Sequence, residues 1–323
     1  MRVAQVTRFG GPEVLVPAEV PDPVAGPGEV VVRVSDVDTI FVETQVRAGA
    51  FGEHFPVKAP YVPGGGVAGQ VNAVGEGVDP GWVGRRVVTA LGFTGGYAEQ
   101  AVARAAKLVP VPDGLGLRDA VALVHDGVTA AALLESTGLA AGERLLLLGA
   151  SGGMGTLLVQ LARSVGAHVV AVARGERKTL LVRELGADTV VDAARPDWVA
   201  QARAALGAAG ADVVLDGVGG EVGLAAFPLA ADGGRFSAHG APTGGFAPVD
   251  PAEATRRGIK LVGIEDVQLP DDTYVRLAAK ALAEAAAGRL RPVIGGTFPL
   301  ERAADAHRAI ESRELLGKVL LTI

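Results

Sequence analysis

The spacing of apolar positions changes twice along the chain. From residue 1 to about 117 they fall in short β-branched runs, among them Val30–Val34, Val67–Val74 and Arg86–Val88, separated by recurring Gly and Pro. Short strands between turn formers predict a β-rich, barrel-like unit. From about 118 to 257 the pattern alternates. A helical period over Leu117–Leu134 is followed by a continuously apolar strand, Arg144–Leu148, and a helix through Leu157–Ala162. Strands at His168–Val172, Thr189–Val191 and Asp212–Asp216 then alternate with helices near 178–185 and 197–207. Alternation with apolar strands predicts a parallel sheet covered by helices on both faces. The last stretch reads as a helix at 272–287, a Pro-containing strand at 292–298, a short helix at 302–310 and a closing strand at 317–323. It is too short to stand alone and is expected to fold back onto the first unit. The predicted fold class is α/β, with one domain made of 1–117 and 258–323 and a second of 118–257.

Composition narrows the function. The chain has 323 residues, 36 acidic and 30 basic, for a formal charge of −6. An acidic balance argues against non-specific nucleic-acid binding, which needs a basic surface. There is no cysteine, which excludes disulfides, thiolate-ligated metal and a cysteine nucleophile. The five histidines, at 54, 125, 168, 239 and 307, show no ligand spacing, so no metal is expected. Mean hydropathy is +0.34, but its source is small aliphatic residues. The longest apolar runs fall far short of the roughly 20 residues a spanning helix needs. Residues Met1–Val6 carry no apolar core of a signal peptide. A cytoplasmic protein with no membrane partner is the expectation.

The first βα turn carries the chemistry. Gly149-Ala150-Ser151-Gly152-Gly153-Met154-Gly155 lies between a buried strand and a helix. Glycine there lets backbone approach a pyrophosphate, and the helix N-terminus offers free N–H groups and a partial positive charge. The spacing is not a strict G-x-G-x-x-G. The context of a strand before, a helix after and a second strand about 20 residues on points to dinucleotide binding. An NAD site places an acid at the end of that second strand. Here the chain reads Ala173-Arg174-Gly175-Glu176-Arg177-Lys178. Arg174 and Lys178 suit a 2′-phosphate, which makes NADPH the expected cofactor.

Further motifs extend the pattern. They are Val62-Pro63-Gly64, Val74-Gly75-Glu76-Gly77-Val78, Gly84-Arg85-Arg86-Val87, Gly95-Gly96-Tyr97-Ala98-Glu99 and Gly127-Val128-Thr129-Ala130. Leu185-Gly186-Ala187-Asp188, Asp212 to Gly220, Gly233-Gly234-Arg235-Phe236 and Gly317-Lys318-Val319 follow. In this order, over nearly the whole chain, they resemble the medium-chain dehydrogenase/reductase superfamily, in its zinc-independent NADPH:quinone oxidoreductase-like branch. The resemblance implies a GroES-like β-rich catalytic domain beside a doubly wound Rossmann domain, an active site in the cleft between them, and a homodimer. It implies cofactor contacts at Thr129, Gly149, Ser151, Gly152, Gly153, Met154, Gly155, Arg174, Lys178, Val218, His239, Gly240 and Lys318.

The departures from that family bear on the substrate. The segment that often reads V-N-P-x-D/E-T-Y-x-R-x-G reads here Thr39-Ile40-Phe41-Val42-Glu43-Thr44-Gln45-Val46-Arg47-Ala48-Gly49. Ile40 replaces the asparagine and Gln45 the tyrosine, and Gly66 stands where an acid is often found. An amide is no general acid at pH 7. Gln45 is therefore expected to donate a hydrogen bond to a substrate carbonyl, with His125 or Asp126 as proton donor. Ile40 and Tyr61 are expected on the substrate, although a tyrosine so placed is more often packing. Asp38 reads equally as a turn residue. The expected reaction is zinc-free hydride transfer from NADPH to a small molecule, a quinone or an α,β-unsaturated carbonyl. Two alternatives stay open: a specialised biosynthetic enoyl or ketone reductase acting on one bulky intermediate, and a non-catalytic NADPH-binding protein.

Overall fold

A computed structural model of the chain describes residues 1–50, 52, 55–267 and 269–323, apart from the side chains at 265 and 267. His54 lies outside the described residues. The chain forms two compact units, Met1–Val128 with Pro270–Ile323, and Thr129–Leu269.

The first unit opens with β1 (Arg2–Val6), β2 (Leu15–Glu19) and β3 (Glu29–Thr39), then α1 (Phe41–Ala48). There follow β4 (Gly66–Val74), β5 (Arg86–Ala90), β6 (Gln100–Arg104), β7 (Val109–Pro110), α2 (Leu117–Val121) and the start of α3 (Asp126–Thr137). The helix expected over 117–134 is thus broken at residues 122–125. There the hydrogen bonds tighten from i→i−4 to i→i−3, with Leu123 N donating to Ala120 O and Val124 N to Val121 O. The break is what places His125.

The second unit runs β8 (Arg144–Leu148), α4 (Gly153–Val165), β9 (His168–Ala173), α5 (Glu176–Glu184), β10 (Thr189–Asp192) and α6 (Trp198–Leu206). It continues with β11 (Ala211–Asp216), α7 (Gly220–Ala226), β12 (Ala230–Ala238), α8 (Pro251–Arg256) and β13 (Lys260–Gly263). The chain then returns to the first unit as α9 (Asp271–Ala286), β14 (Ile294–Pro299), α10 (Ala303–Ser312) and β15 (Lys318–Thr322).

The second unit's six strands are all parallel, in the order β10-β9-β8-β11-β12-β13. This is the doubly wound order, whose topological switch point falls between β8 and β11. Leu145, Leu146, Leu147 and Leu148 are almost wholly buried, as a strand covered on both faces must be. The first unit carries a mainly antiparallel sheet, β14-β15-β3-β4-β5-β7, with β6 also on β3. β15 runs antiparallel to β3, pairing Leu320 with Asp38 and Val319 with Thr39. That register brings Lys318 beside Asp38.

The divides between units fall later than the expected 117/118 and 257/258. α2 lies against β3, β4 and β5 and so stays with the first unit. β13 pairs with β12 and extends the second unit beyond residue 257.

Candidate functional site

In the second unit the notable residues gather at the carboxyl ends of the parallel strands. Gly149 follows β8 at φ +74°, a conformation that favours glycine. A Cβ on Gly155 would run into the carbonyl oxygen of Gly149, so α4 can start this close to the strand only on a glycine. Gly152 caps that helix in extended conformation with no side chain over it. Met154 and Ser151 sit in the same turn, Ser151 buried. The turn presents unpaired N–H groups at a helix N-terminus, an anion seat by construction.

Beyond β9, Arg174 is exposed and begins the turn into α5. Asp192, at the end of the neighbouring β10, accepts from Gly175 N and Ala194 N, both at 2.8 Å. These two backbone hydrogen bonds hold its carboxyl below the usual range. The acid is therefore committed to shaping the turn. Beyond β11, Asp216 Oδ1 accepts from Val218 N and Gly219 N at 2.9 Å. Beyond β12, a Cβ on Gly240 would strike the backbone of Gly217. Nδ1 of His239 lies 3.2 Å from Ser237 Oγ, while its buried Nε2 has no partner among the described residues. Burial pulls this imidazole down to about 4, so it stays neutral at pH 7. A buried, unpaired polar nitrogen, a cradle that a Cβ would fill and a helix N-terminus all fit a bound dinucleotide at this edge.

An open groove of about 570 Å³ at the opposite, amino ends of the strands is lined by Arg144, Arg203, Asp212, Asp232 and Arg257. Its guanidinium groups are engaged by Asp212, Asp232 and the carbonyl of Pro228. Ligands of parallel α/β sheets bind at the other end.

The first unit holds a different kind of site. Asp38, at the end of β3, has a fully buried carboxylate. Its Oδ2 lies 2.7 Å from His125 Nδ1, and its Oδ1 lies 2.5 Å from Lys318 Nζ. Lys318 Nζ also lies 3.1 Å from Asp126 Oδ2. Burial alone would push Asp38 up, but Lys318 and the hydrogen bond from His125 bring it below the ordinary range. Asp126 is pushed up, by burial above all and by the charge of Asp38, against the pull of Lys318. Burial works against the Lys318 ammonium, yet the two carboxylates more than offset it and raise its pKa.

The floor under the imidazole is glycine. A Cβ on Gly66 would come within 2.9 Å of His125 Cε1 and 3.0 Å of Nδ1, and one on Gly65 within 3.2 Å of Cε1.

A second buried chain begins on α1. Glu43 accepts from Gly65 N at 2.8 Å, from Tyr97 Oη at 2.8 Å and from its own helix start at Ile40 N, 3.2 Å. Burial, with Asp38 nearby, pushes Glu43 up to about 7. Tyr97 Oη lies 2.9 Å from His307 Nε2, and Arg47 Nη2 reaches Glu311 on α10 at 2.6 Å.

The expected site residues fare differently. His125 and Asp126, each expected as a possible proton donor, stand in one cluster with Asp38 and Lys318. Lys318, expected on the cofactor, has its buried ammonium between Asp38 and Asp126, where the β3–β15 register puts it. Gln45 is half-buried on α1 and donates to Thr44 Oγ1 at 3.1 Å. Tyr61 packs against the core of the first unit, and its buried hydroxyl has no partner among the described residues. Burial pushes that phenol up to about 12. Ile40 precedes α1, and Thr129 lies on α3. Sequence reasoning missed Glu43, Arg47, Tyr97 and His307. The available signal was Glu43 and Arg47, one helical turn apart on a face that also carries the apolar Val46.

A β-rich unit interrupted by a doubly wound nucleotide-binding unit is the arrangement of a two-domain dehydrogenase. Residues 26–113 match the alcohol dehydrogenase GroES-like domain, and residues 185–321 the zinc-binding dehydrogenase domain. The quinone oxidoreductase of Sus scrofa is 33% identical over 327 residues, covering 100% of this chain and 98% of that protein. The 2-haloacrylate reductase of a Burkholderia species is 31% identical over 325 residues, covering 98% of each. The solved structure of a mycobacterial protein complexed with NADPH is 31% identical, covers 100% of both chains and superposes with a TM-score of 0.92. The chain belongs to the medium-chain dehydrogenase/reductase superfamily, in its quinone oxidoreductase-like branch.

Proposed function

We propose that this chain is an NADPH-dependent oxidoreductase that reduces a quinone or an α,β-unsaturated carbonyl without a metal. The carboxyl edge of the second unit carries the reading: a glycine turn that admits no side chain, the unpaired Nε2 of His239, and Arg174 where an NAD site would hold an acid. Gly149, Ser151, Gly152, Gly153, Met154 and Gly155 would hold the pyrophosphate. Arg174 and Lys178 would hold the 2′-phosphate, with Val218, His239, Gly240 and Thr129 along the rest of the nucleotide. When bound, NADPH supplies a hydride. The mycobacterial relative complexed with NADPH and the two reductases named above support the same class. The lack of cysteine, which leaves no thiolate to ligate zinc, supports a metal-free route.

The residues of the first unit supply what an anionic product needs. The Gln45 amide, with one N–H on Thr44, donates its other to the acceptor's carbonyl oxygen. Protonated His125 gives up its Nε2 proton. A C–H bond forms at the α-carbon of an enolate, or an O–H bond at a hydroquinone oxygen, as the N–H bond breaks. The imidazole is left neutral and is recharged from water, which its partial exposure admits. Asp126 stays on Lys318 and supports this centre. Among the described residues no helix is long and apolar enough to cross a membrane, and we extend the reading to a cytoplasmic homodimer, which light scattering would check.

The test is NADPH consumption with a panel of 1,4-quinones and enones. Turnover with one class supports the reading and names the acceptor. Tight NADPH binding with no product from any acceptor, even in a single turnover, would leave a nucleotide-binding protein without this chemistry.

A further inference from the structure

The proton donor proposed above does not stand alone. Its Nδ1 rests on Asp38 at 2.7 Å, its ring rests on the backbone of Gly65 and Gly66, and its Nε2 has no hydrogen-bond partner among the described residues. From this geometry we propose that Asp38 is a positioning residue: held ionised by Lys318, it fixes His125 in the tautomer that carries hydrogen on Nδ1, so that Nε2 is the nitrogen that exchanges protons with substrate. The inference rests on the role given to His125.

Three observations carry it. First, a carboxylate has no hydrogen to donate, so a 2.7 Å contact to Asp38 requires the hydrogen on Nδ1. Neutral His125 therefore keeps its lone pair on Nε2. Second, Asp38 is wholly buried, and an ionised carboxylate there needs a counter-ion. Lys318, from a strand 280 residues later, provides it on the other oxygen. The charged groups that face the ring are Asp38 from β3, Asp126 from α3 and Glu43 from α1, with Lys318 from β15 paired to the first two. Third, the ring is confined. Any side chain at residue 66 would occupy the place of the imidazole, and glycine stands there.

Asp38 thus acts through His125 and does not touch the reacting atoms. A carboxylate bonded to the far nitrogen of an imidazole sets its tautomer and orientation in many sites.

The test uses the whole protein without cofactor. Histidine is labelled with 15N, and long-range proton–nitrogen correlation spectra are recorded at a pH where His125 is neutral. Its signals are identified by their loss in His125→Gln. The expected result is hydrogen on Nδ1 in the natural protein, and a shift toward hydrogen on Nε2 in Asp38→Asn. In the presence of NADPH and an accepted substrate, Asp38→Asn lowers kcat about 100-fold, at the low end of what a positioned acid contributes. NADPH affinity is unchanged.

Hydrogen on Nε2 in the natural protein overturns the proposal. So does an Asp38→Asn variant with unaltered tautomer and unaltered kcat. If Asp38→Asn does not fold, the tautomer of the natural protein decides alone. A distinct outcome, the expected tautomer with undiminished turnover in His125→Gln, removes His125 as the acid but leaves the pairing with Asp38 standing.

Discussion

Arg47 Nη1 lies 3.3 Å from Nδ1 of His307, and this contact sets the direction of a buried hydrogen-bonded chain. A guanidinium has no acceptor, so His307 Nδ1 must accept. Its hydrogen is then on Nε2 and donates to Tyr97 Oη, and the Tyr97 hydroxyl in turn donates to Glu43. Arg47 and Glu43, both 2% exposed, are thereby linked through two neutral side chains. The chain anchors α1, which carries Gln45.

This polarity separates two substitutions of His307. Glutamine can accept from Arg47 with its carbonyl and donate to Tyr97 with its amide. His307→Leu removes the acceptor facing Arg47 Nη1 and the donor facing Tyr97 Oη, and is expected to cost about 1–3 kcal/mol, against less for His307→Gln. Chemical denaturation measures the difference, and equal losses would contradict the relay.

Acid should weaken the fold through the same residue. Burial pulls His307 down to about 3, below its ordinary 6.5. Between those values the unfolded chain binds a proton that the folded chain refuses, so this contribution to stability is present above 6.5 and lost as pH falls toward 3. His239, at about 4, acts in the same direction. Glu43 acts oppositely: raised from 4.5 to about 7, it favours the folded state below 4.5 and loses that contribution as pH rises through 7. His307→Gln is expected to flatten the acid side of the stability profile. A profile with unchanged slope would count against a buried neutral imidazole.

Lys318 and Asp38 form a buried pair whose breaking leaves the Asp38 carboxylate without its ammonium counter-ion. Lys318→Met is expected to destabilise the protein by about 3–5 kcal/mol, the loss seen when one partner of a buried pair is removed. Thermal unfolding without nucleotide measures it. A variant as stable as the natural protein would contradict a structural role for this pair.

Gly66→Ala puts a methyl group 2.9 Å from His125 Cε1 and 2.5 Å from Val124 Cγ1. Displacement of the imidazole from Asp38 is expected to lower kcat by at least about tenfold and leave NADPH affinity unchanged. Full activity would show that the ring's position does not matter.

The second unit was legible because its chemistry is local. Arg144–Leu148 is apolar without interruption, and the glycines that follow it answer to a turn only a few residues long. The first unit was less so. Nothing in the Ala, Leu and Val of residues 117–134 opposes a continuous helix, yet the turn at 122–125 puts His125 where it is. Asp38 reads as an ordinary polar residue until β15 brings Lys318 across from it. Glu43 and Arg47, four apart, carry no local sign of the distant partners, Gly65, Tyr97 and Glu311, to which the structure turns them.

The claim on which the rest depends is that the turn at 149–155 and the cations after β9 hold a phosphorylated nicotinamide nucleotide. Equilibrium titration of the natural protein and of Arg174→Ser/Lys178→Ser with NADPH and NADH tests it most directly. The natural protein should prefer NADPH, and the double variant should bind NADPH about 10- to 100-fold more weakly, the worth of a charge-assisted hydrogen bond, with NADH unaffected. No NADPH binding by the natural protein, or a preference for NADH, would contradict the account.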